Sequence, residues 1–109
     1  MKAAPERGDV IWIDFDPQAR HEQTGRRPAL VLSPASYNSA SGLALICPIT
    51  SKTKGYPFEV IIPDGLRVTG VILADQARNL DWRARKATPI TMLPVQITDK
   101  VLSKLHTLL

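Results

Sequence analysis

The sequence predicts a small, mainly β protein: a strongly bent barrel of short strands with a C-terminal amphipathic helix over one opening. Three observations predict it. The 109 residues are the size of one domain, about 100–150 residues. Short apolar runs are separated by closely spaced turn signals, which is typical of small barrels. Helical spacing of apolar residues is found only at the end of the chain. We therefore expect one domain over residues 1–109, with the barrel over 8–92 and the helix over 93–109.

The predicted strands fill most of the chain. In the first, Val10 to Phe15, apolar and polar residues alternate, so Ile11 and Ile13 share one face. The run Leu43–Ile49 is continuous and apolar enough to be a central strand. The other expected strands are Pro28–Leu32, Phe58–Ile62, one beginning at Val71–Ala74, and one or two within 79–91. Residues 33–42 are expected to form a Ser- and Asn-rich connection.

The end of the chain predicts an amphipathic helix. From about Ile97 onward, apolar residues recur with a period of about 3.6 residues. They are Ile97, Val101, Leu102, Leu105, Leu108 and Leu109. Thr98 or a residue just before it is expected to cap the helix, and Pro94 suits the approach to it.

Composition excludes several classes of protein. Hydrophobic residues make up 44% and charged residues 22%, as in ordinary globular domains, which excludes a disordered tail, a collagen-like fibre and a coiled coil. No apolar run approaches the roughly 18 residues of a membrane span, and residues 1–7 lack the apolar stretch of a signal peptide. The single cysteine, Cys47, lies in an apolar run, so we expect a buried, reduced thiol. A soluble cytoplasmic protein is expected.

The formal net charge of +4 is unevenly distributed. Residues 8–16 carry a net −3 and residues 59–75 a net −2, whereas residues 17–58 carry +4 and residues 76–98 carry +3. If the two basic segments meet on one face, they form an anion-binding groove. Solvated charged loops would give the same sums, so both interpretations stay open at this point.

The sequence contains no recognisable cofactor or metal motif. It lacks the glycine-rich patterns that hold nucleotide phosphates. Cys47 and two distant histidines cannot form a zinc site of ordinary spacing. Asp14 and Asp16 point the same way on an alternating strand, and we expect them to pair with nearby arginines rather than to bind magnesium. Neither a metal nor a cofactor is expected.

Two polar loops carry the groups that chemistry on a phosphodiester needs. In residues 20–28, the Glu22 carboxylate can accept a proton and the Arg27 guanidinium can clamp a phosphate with two hydrogen bonds. Residues 50–55 add three hydroxyl groups and two ammonium groups after the central strand. Each loop alone is a weak motif. Placed at the ends of strands that can be neighbours, the two loops together predict a phosphate site.

Several blocks of the sequence are similar to one known family. They are Gly8–Pro17, Glu22–Ser33, Cys47–Thr50, Lys54–Val60 and Gly70–Gln76. In this order and spacing, over about residues 8–88, they resemble the MazF/PemK family of toxins, the mRNA interferases of type II toxin–antitoxin modules. The C-terminal helix fits the family by type only.

The resemblance implies an SH3-like barrel with added helices, which acts as a homodimer and cleaves single-stranded RNA at short motifs without a metal. It implies that Arg27 and Thr50 are catalytic, that Glu22 stands at the family's acidic position, and that Gln76 contacts RNA. His21 departs from the family, where Ser is frequent, and this leaves open a part for His21 in proton transfer. The resemblance also implies a MazE-like antitoxin whose acidic tail blocks the RNA groove, and operator DNA bound only by the toxin–antitoxin complex.

The reaction expected without metal ligands is attack of the ribose 2′-hydroxyl on the adjacent phosphorus. Its products are a 2′,3′-cyclic phosphate and a 5′-hydroxyl, and it needs a base, a donor for the leaving oxygen and stabilisation of phosphoryl charge. We expect Arg27 to stabilise that charge and Thr50 to orient the phosphate. Glu22 is either the base or the partner of Arg27 in an ion pair, and both roles stay open.

Further residues are expected to bind RNA. Candidates for contacts with the RNA backbone are Lys52, Lys54, Arg83, Arg85 and Lys86. Tyr56 and Phe58, beside the second basic loop, can stack on a base or pack in the core, and core packing is favoured for Phe58.

Two other functions fit the same fold: a non-catalytic nucleic-acid-binding barrel and a gyrase-directed toxin of the CcdB type. CcdB carries a Trp near its C-terminus, whereas residues 105–109 contain no aromatic side chain. Charge and fold do not separate the enzyme from the binding module, so a cleavage assay is needed.

Overall fold

A computed structural model describes Met1, residues 3–15 and residues 25–109 of the protein. In these residues, seven strands, two α-helices and one short 3₁₀ helix follow one another along the chain. Their order is β1 (Asp9–Asp14), β2 (Arg26–Val31), α1 (Ala35–Ser41), β3 (Leu43–Thr50), β4 (Glu59–Ile61), β5 (Val71–Leu73), the 3₁₀ helix (Ala74–Gln76), β6 (Arg78–Asp81), β7 (Thr88–Met92) and α2 (Val95–His106). The predicted class, mainly β with a C-terminal helix, is confirmed.

The strands of the described residues form one antiparallel sheet in the order β4-β5-β3-β2-β1-β7, with β6 paired to β3. The central strand is β3, as predicted. One of its edges pairs with β2, and the other edge is shared, because residues 43–46 pair with β6 and residues 49–50 with β5. A strand that changes partner along one edge turns a corner of the sheet. The bent ladder is not closed, since β4 and β7 stand at its two ends.

The apolar and polar alternation that the sequence predicts for β1 matches the burial of its residues from Ile11 to Ile13. Ile11 and Ile13 are fully buried, whereas Trp12 is 42% exposed. Val10 is also fully buried, although it lies on the opposite face from Ile11. The sheet is therefore covered by apolar side chains on both faces at this point.

Two apolar cores cover the two faces of the central strands. The core between the sheet and α2 includes Val10, Leu30, Cys47, Ile97 and Val101. The core on the opposite face includes Ile11, Ala29, Ile46 and Trp82. Because β1, β2 and β3 contribute to both cores, they form a rigid base for the residues at their ends. The expectation of a buried, unpaired Cys47 thiol is confirmed.

A helix, α1, lies within residues 33–42, where the sequence analysis expected only a polar connection. Five of its seven residues, namely three serines, Tyr37 and Asn38, have lower helix propensity than alanine, and contacts with the rest of the fold stabilise it. The fully buried Asn38 donates to the carbonyl oxygens of Pro5 (2.8 Å) and Ser33 (3.0 Å). The Ser33 hydroxyl donates to Asn38 at 2.5 Å, and the Trp82 indole donates to the Asn38 carbonyl at 2.9 Å. A left-handed Gly42 (φ 74°) ends the helix.

The helix α2 begins earlier than the apolar stripe indicates. Pro94 occupies the N-cap position, and its carbonyl accepts from the amides of Ile97 (3.0 Å) and Thr98 (3.4 Å). The expected cap at Thr98 is therefore wrong, because Thr98 is buried inside the helix. The stripe begins at Ile97 because the first helical residue, Val95, is exposed and does not face the core. No helix in the described part of the chain is long and apolar enough to cross a membrane.

Candidate active site

A cavity of about 460 Å³ lies between the end of β3 and the loop that follows it. Its size is within the range of about 300–1,000 Å³ that small-molecule sites occupy. The residues that line it are Arg27, Thr50, Lys52, Lys54, Tyr56, Glu59, Leu73, Asp75 and Gln76. Six of these nine are candidate site residues from the sequence: Arg27, Thr50, Lys52, Lys54, Tyr56 and Gln76. The fold thus gathers residues from β2, β3, the loop over 51–58 and the 3₁₀ helix around one space.

The register of the sheet sets Arg27 beside Thr50. Strands β2 and β3 are antiparallel, and Leu30 pairs with Cys47 and Ala29 with Pro48. Two residues further along each strand, the same register sets Arg27 opposite Thr50. Side chains directly opposite in an antiparallel pair lie on the same face. The two predicted catalytic side chains therefore project into the cavity from neighbouring strands that are anchored in both cores.

Thr50 is held from two sides. Its side chain is buried, with the residue only 5% exposed, and its hydroxyl oxygen accepts from the Lys52 amide at 3.2 Å. A hydroxyl carries one donor and two acceptor sites, so the Thr50 proton can be donated to a molecule in the cavity. Behind Thr50 lies Gly70 with φ of +111°, where an added Cβ would stand 2.2 Å from the Thr50 carbonyl oxygen. Only a glycine allows the backbone to approach Thr50 so closely.

The loop after β3 lines the cavity with basic and aromatic side chains. Lys52, Lys54 and Tyr56 are exposed, and the Lys54 ammonium lies 5.8 Å from the centroid of the Tyr56 ring. Tyr56 is 58% exposed and so presents ring surface to solvent. Phe58 is half-buried and does not line the cavity.

Glu59, at the start of β4, is a site residue that the sequence analysis did not single out. Its carboxylate accepts from the Thr53 hydroxyl (2.9 Å) and from the amides of Lys54 (3.0 Å) and Gly55 (2.9 Å). These donors lower the pKa of Glu59, and the largest cause is the hydrogen bond from the Lys54 amide. A signal was present in the sequence, because Glu59 is the only carboxylate in residues 51–63 and the polar loop before it needs acceptors.

The cavity wall carries both signs of charge. Among the lining residues that the structure describes, the cations are Arg27, Lys52 and Lys54, and the carboxylates are Glu59 and Asp75. Asp75 and Gln76 reach the wall because the 3₁₀ helix follows β5 directly. Asp75 and Leu73 are further lining residues that the sequence analysis missed, although they lie one and three residues before the predicted Gln76. The site is therefore less basic than the segment sums indicate.

Gln76 is the residue of the second basic segment that lines this cavity, whereas none of the segment's four cations, Arg78, Arg83, Arg85 and Lys86, is among its lining residues. Arg85 is half-buried, and its guanidinium donates to the Asp14 carbonyl at 3.2 Å, at the end of β1. The Arg83 guanidinium lies 4.6 Å from the centroid of the Trp82 ring. The Lys86 carbonyl accepts from Arg26 at 2.8 Å. The connection between β6 and β7 runs beside the end of β1.

Other predicted residues fall outside the cavity for different reasons. Glu22 and His21 lie outside the described residues. Asp14 forms an ion pair with Arg26 at 3.1 Å, as expected for a carboxylate beside arginines. Across residues 3–15 and 25–109, no group of three or more His, Cys, Asp or Glu side chains is arranged to hold a metal ion.

The chain matches one protein family over nearly its whole length. The profile of the family described as PemK-like, MazF-like toxin of type II toxin-antitoxin system matches residues 6–109. The endoribonuclease toxin MazF of Escherichia coli K12 is 54% identical over 84 residues, which cover 77% of this chain and 75% of that protein. The endoribonuclease PemK of Escherichia coli is 36% identical over 113 residues, which cover 99% of this chain and 84% of that protein.

Solved structures show the same fold. The crystal structure of MazF from Deinococcus radiodurans superposes with a TM-score of 0.93 at 53% identity and covers 96% of each chain. A chain of a MazE–MazF crystal structure from the same organism gives a TM-score of 0.85 at 48% identity, covering 96% of this chain and 94% of that one. The sequence blocks, the fold and these relatives agree, and the chain belongs to the family of PemK-like, MazF-like toxins of type II toxin–antitoxin systems.

Proposed function

We propose that this toxin cleaves single-stranded RNA by attack of the ribose 2′-hydroxyl on the adjacent phosphorus, which leaves 2′,3′-cyclic phosphate and 5′-hydroxyl ends. Endoribonuclease activity follows from the family and from relatives that are 54% and 36% identical. The proposal concerns how the cavity performs the reaction. The observation that supports it is the convergence of Arg27 and Thr50 on one cavity beside a basic, aromatic loop.

Arg27 stabilises the transition state of this reaction. As the 2′-oxygen attacks, negative charge accumulates on the phosphoryl oxygens, and a guanidinium offers two parallel donors that match two of them. Arg27 also donates a hydrogen bond to the leaving 5′-oxygen, and water supplies the proton that makes this oxygen a hydroxyl. Because a guanidinium stays protonated, the contribution of Arg27 is electrostatic and directional.

Thr50 orients the scissile phosphate. Its hydroxyl oxygen already accepts from the Lys52 amide, which fixes the oxygen and leaves the proton for a phosphoryl oxygen. The buried position of Thr50 strengthens this bond, because a hydrogen bond shielded from water is electrostatically stronger.

Glu22 has two possible roles in the proposal, base for the 2′-hydroxyl or ion-pair partner of Arg27, and both are kept. His21 keeps its alternative part in proton transfer. Lys52 and Lys54 bind RNA phosphates, Tyr56 stacks on an unpaired base, and Gln76 hydrogen-bonds to a base edge. Arg85, outside the cavity, meets RNA only beyond the scissile nucleotide.

The proposal extends to partners. A MazE–MazF complex is known from Deinococcus radiodurans, and we propose that a MazE-like antitoxin inhibits this chain by laying an acidic tail along the RNA groove. The toxin acts as a homodimer in the cytoplasm and meets operator DNA only in complex with its antitoxin.

Substitution of the two converging side chains tests the proposed reaction. We expect Arg27→Ala and Thr50→Ala to remain folded and to lose cleavage rate by a factor on the order of 10²–10³, as for other donors aimed at developing charge. The measurement is single-turnover cleavage of a single-stranded RNA. Arg67→Ala and Thr69→Ala are matched controls, because both residues are exposed and lie outside the cavity. Wild-type rates in either site variant would refute the assignment of that residue.

A further inference from the structure

We infer that Glu59 is a positioning residue for RNA binding: its carboxylate holds residues 53–55 in the conformation that sets Lys52, Lys54 and Tyr56 along the cavity. The inference rests on the proposed function, because it assigns a role within the same RNA site. It concerns a residue that has no part in the proposed chemistry.

The first support is the geometry of the carboxylate. One oxygen, Oε1, accepts from the Thr53 hydroxyl at 2.9 Å and from the Gly55 amide at 2.9 Å. Both oxygens face the Lys54 amide, at 3.0 and 3.3 Å. Three consecutive residues of the loop thus donate to a single side chain. Gly55 has a φ of +75°, a left-handed conformation that lets successive amides point inward at one anion.

The second support is the scarcity of other contacts in this loop. Residues 51–57 are all exposed, so little apolar burial holds them. Other bonds to this loop lie at the ends of the segment. They include the bond from the Lys52 amide to Thr50, the bond from the Glu59 amide to the Tyr56 carbonyl, and the bond from the Lys104 ammonium of α2 to the Pro57 carbonyl. The middle of the loop depends on Glu59.

The third support is that the charge of Glu59 alone opposes RNA binding. A carboxylate in the wall of a site for phosphates repels the ligand, as P–O⁻ and COO⁻ carry the same sign. Its presence there is explained if the four hydrogen bonds, by ordering the loop, bring the ammonium groups of Lys52 and Lys54 into place. The low pKa of Glu59 agrees with a carboxylate that stays ionised among amide donors.

The two possible effects of Glu59, repulsion of RNA by its charge and positioning of the loop, predict opposite changes in RNA affinity when the residue is substituted. In Glu59→Gln the charge is removed, but one end of the amide becomes a donor that cannot accept from the loop amides. If Glu59 acts through its charge, Glu59→Gln binds RNA more tightly than the wild type. If Glu59 positions the loop, Glu59→Gln and Glu59→Ala both bind more weakly.

The probe is a mixed-sequence single-stranded RNA with 2′-O-methyl riboses, which can bind but cannot be cleaved through the 2′-oxygen. We expect Glu59→Gln to raise the Kd for this RNA by about tenfold, because Lys52 and Lys54 then contact the RNA phosphates for a smaller fraction of the time. We also expect the slope of log K against log salt to flatten by up to about 0.7 for each of the two lost phosphate contacts. Glu6→Gln, which neutralises an exposed carboxylate outside the cavity, is the matched control.

Backbone amide signals supply a second readout that does not depend on RNA. In the wild type, hydrogen exchange at the Lys54 and Gly55 amides is expected to be slow for an exposed loop, and in Glu59→Gln it should accelerate while the core amides stay unchanged. Wild-type affinity, tighter binding, or unchanged exchange at these amides would overturn the inference. Failure of the proposed function is distinguishable, since it is an absence of cleavage of unmodified RNA by the wild-type protein.

Discussion

Thr50 depends for its position on Gly70, a residue that takes no part in the proposed chemistry. The Thr50 carbonyl occupies the space in which any side chain at position 70 would stand. Because Thr50 lies at the end of β3 and pairs with Val71 of β5, a displacement at Gly70 moves the Thr50 backbone itself. The catalytic geometry thus extends one layer behind the cavity wall.

We predict that Gly70→Ala loses most of the cleavage activity and destabilises the protein by an amount on the order of 3 kcal/mol. Gly65→Ala is the matched control, because Gly65 also has a positive φ (+90°) but nothing lies within 4 Å of an added Cβ. The control should show only the backbone strain, about 1–2 kcal/mol, and should keep its activity. Thermal unfolding and cleavage rates measure the two effects, and equal behaviour of the two variants would contradict the account.

At the residue scale, sequence patterns predict the side chains that act by their own chemistry. Arg27 and Thr50 stand in recognisable blocks, and the structure places both on one cavity. Glu59 could not be assigned in the same way, because two of its three partner residues donate through backbone amides, which every residue except proline carries. Gly70 was equally invisible, since the need for glycine there arises from an approach of two strands that only the fold shows.

At the scale of elements, α1 shows how a buried polar side chain fixes a short helix. Asn38 connects the N-terminal segment, the turn at Ser33 and, through its carbonyl, Trp82 of the second core. A seven-residue helix is too short to be stable by itself. Its position is therefore set by these hydrogen bonds.

We predict that Asn38→Ala lowers the free energy of unfolding by about 1–3 kcal/mol, because it leaves the buried carbonyls of Pro5 and Ser33 without their donor. Ser36→Ala, at an exposed position of the same helix, serves as the control and should change stability by less than about 0.5 kcal/mol. Urea unfolding followed by fluorescence measures both. An Asn38→Ala protein as stable as the control would show that the network contributes nothing.

The strands were easier to predict than α1 for a physical reason. Burial leaves a local pattern in the sequence of a strand: alternating apolar and polar residues in β1 and a continuous apolar run in β3. The helix α1, with three serines, two alanines, one tyrosine and one asparagine, has no such pattern, because its stabilising partners include Pro5 and Trp82, far away in the sequence. The start of α2 is difficult to predict for a related reason. Its first turn is exposed, so the apolar stripe begins at Ile97, two residues after the helix does.

At the scale of the whole molecule, the buried thiol of Cys47 couples stability to alkaline pH. Burial, and secondarily the Asp75 charge, raises the pKa of Cys47 from 9.0 to about 12. Above about pH 9 the unfolded chain therefore releases a proton that the folded chain retains. The stabilising contribution is complete below pH 9 and is lost as the pH rises toward 12.

We predict that the free energy of unfolding of the wild type falls more steeply between pH 8.5 and about 10.5 than that of Cys47→Ala. The alanine variant shares every other titrating group, so the difference isolates the thiol. Urea titrations at three pH values provide the measurement. A constant difference between the two proteins over this range would mean that the thiol titrates normally in the folded state.

The positions of the charged side chains in the fold differ from what the net charges of the sequence segments indicate. The first basic segment supplies Arg27, Lys52 and Lys54 to the cavity, whereas the second supplies Gln76 and none of its four cations. Sums along the sequence cannot show which segments the sheet brings together. They also missed that Glu59 and Asp75, from an acidic segment, enter the same wall.

The central claim is that the cavity cleaves RNA through the ribose 2′-oxygen, and end-group analysis of the products tests it most directly. Purified protein is incubated with a mixed-sequence single-stranded RNA in excess EDTA, and the fragment ends are identified. The account predicts discrete cuts that carry 2′,3′-cyclic phosphate and 5′-hydroxyl ends, and their absence with Arg27→Ala. Fragments with 3′-hydroxyl and 5′-phosphate ends, or no cleavage by the folded wild-type protein, would contradict it.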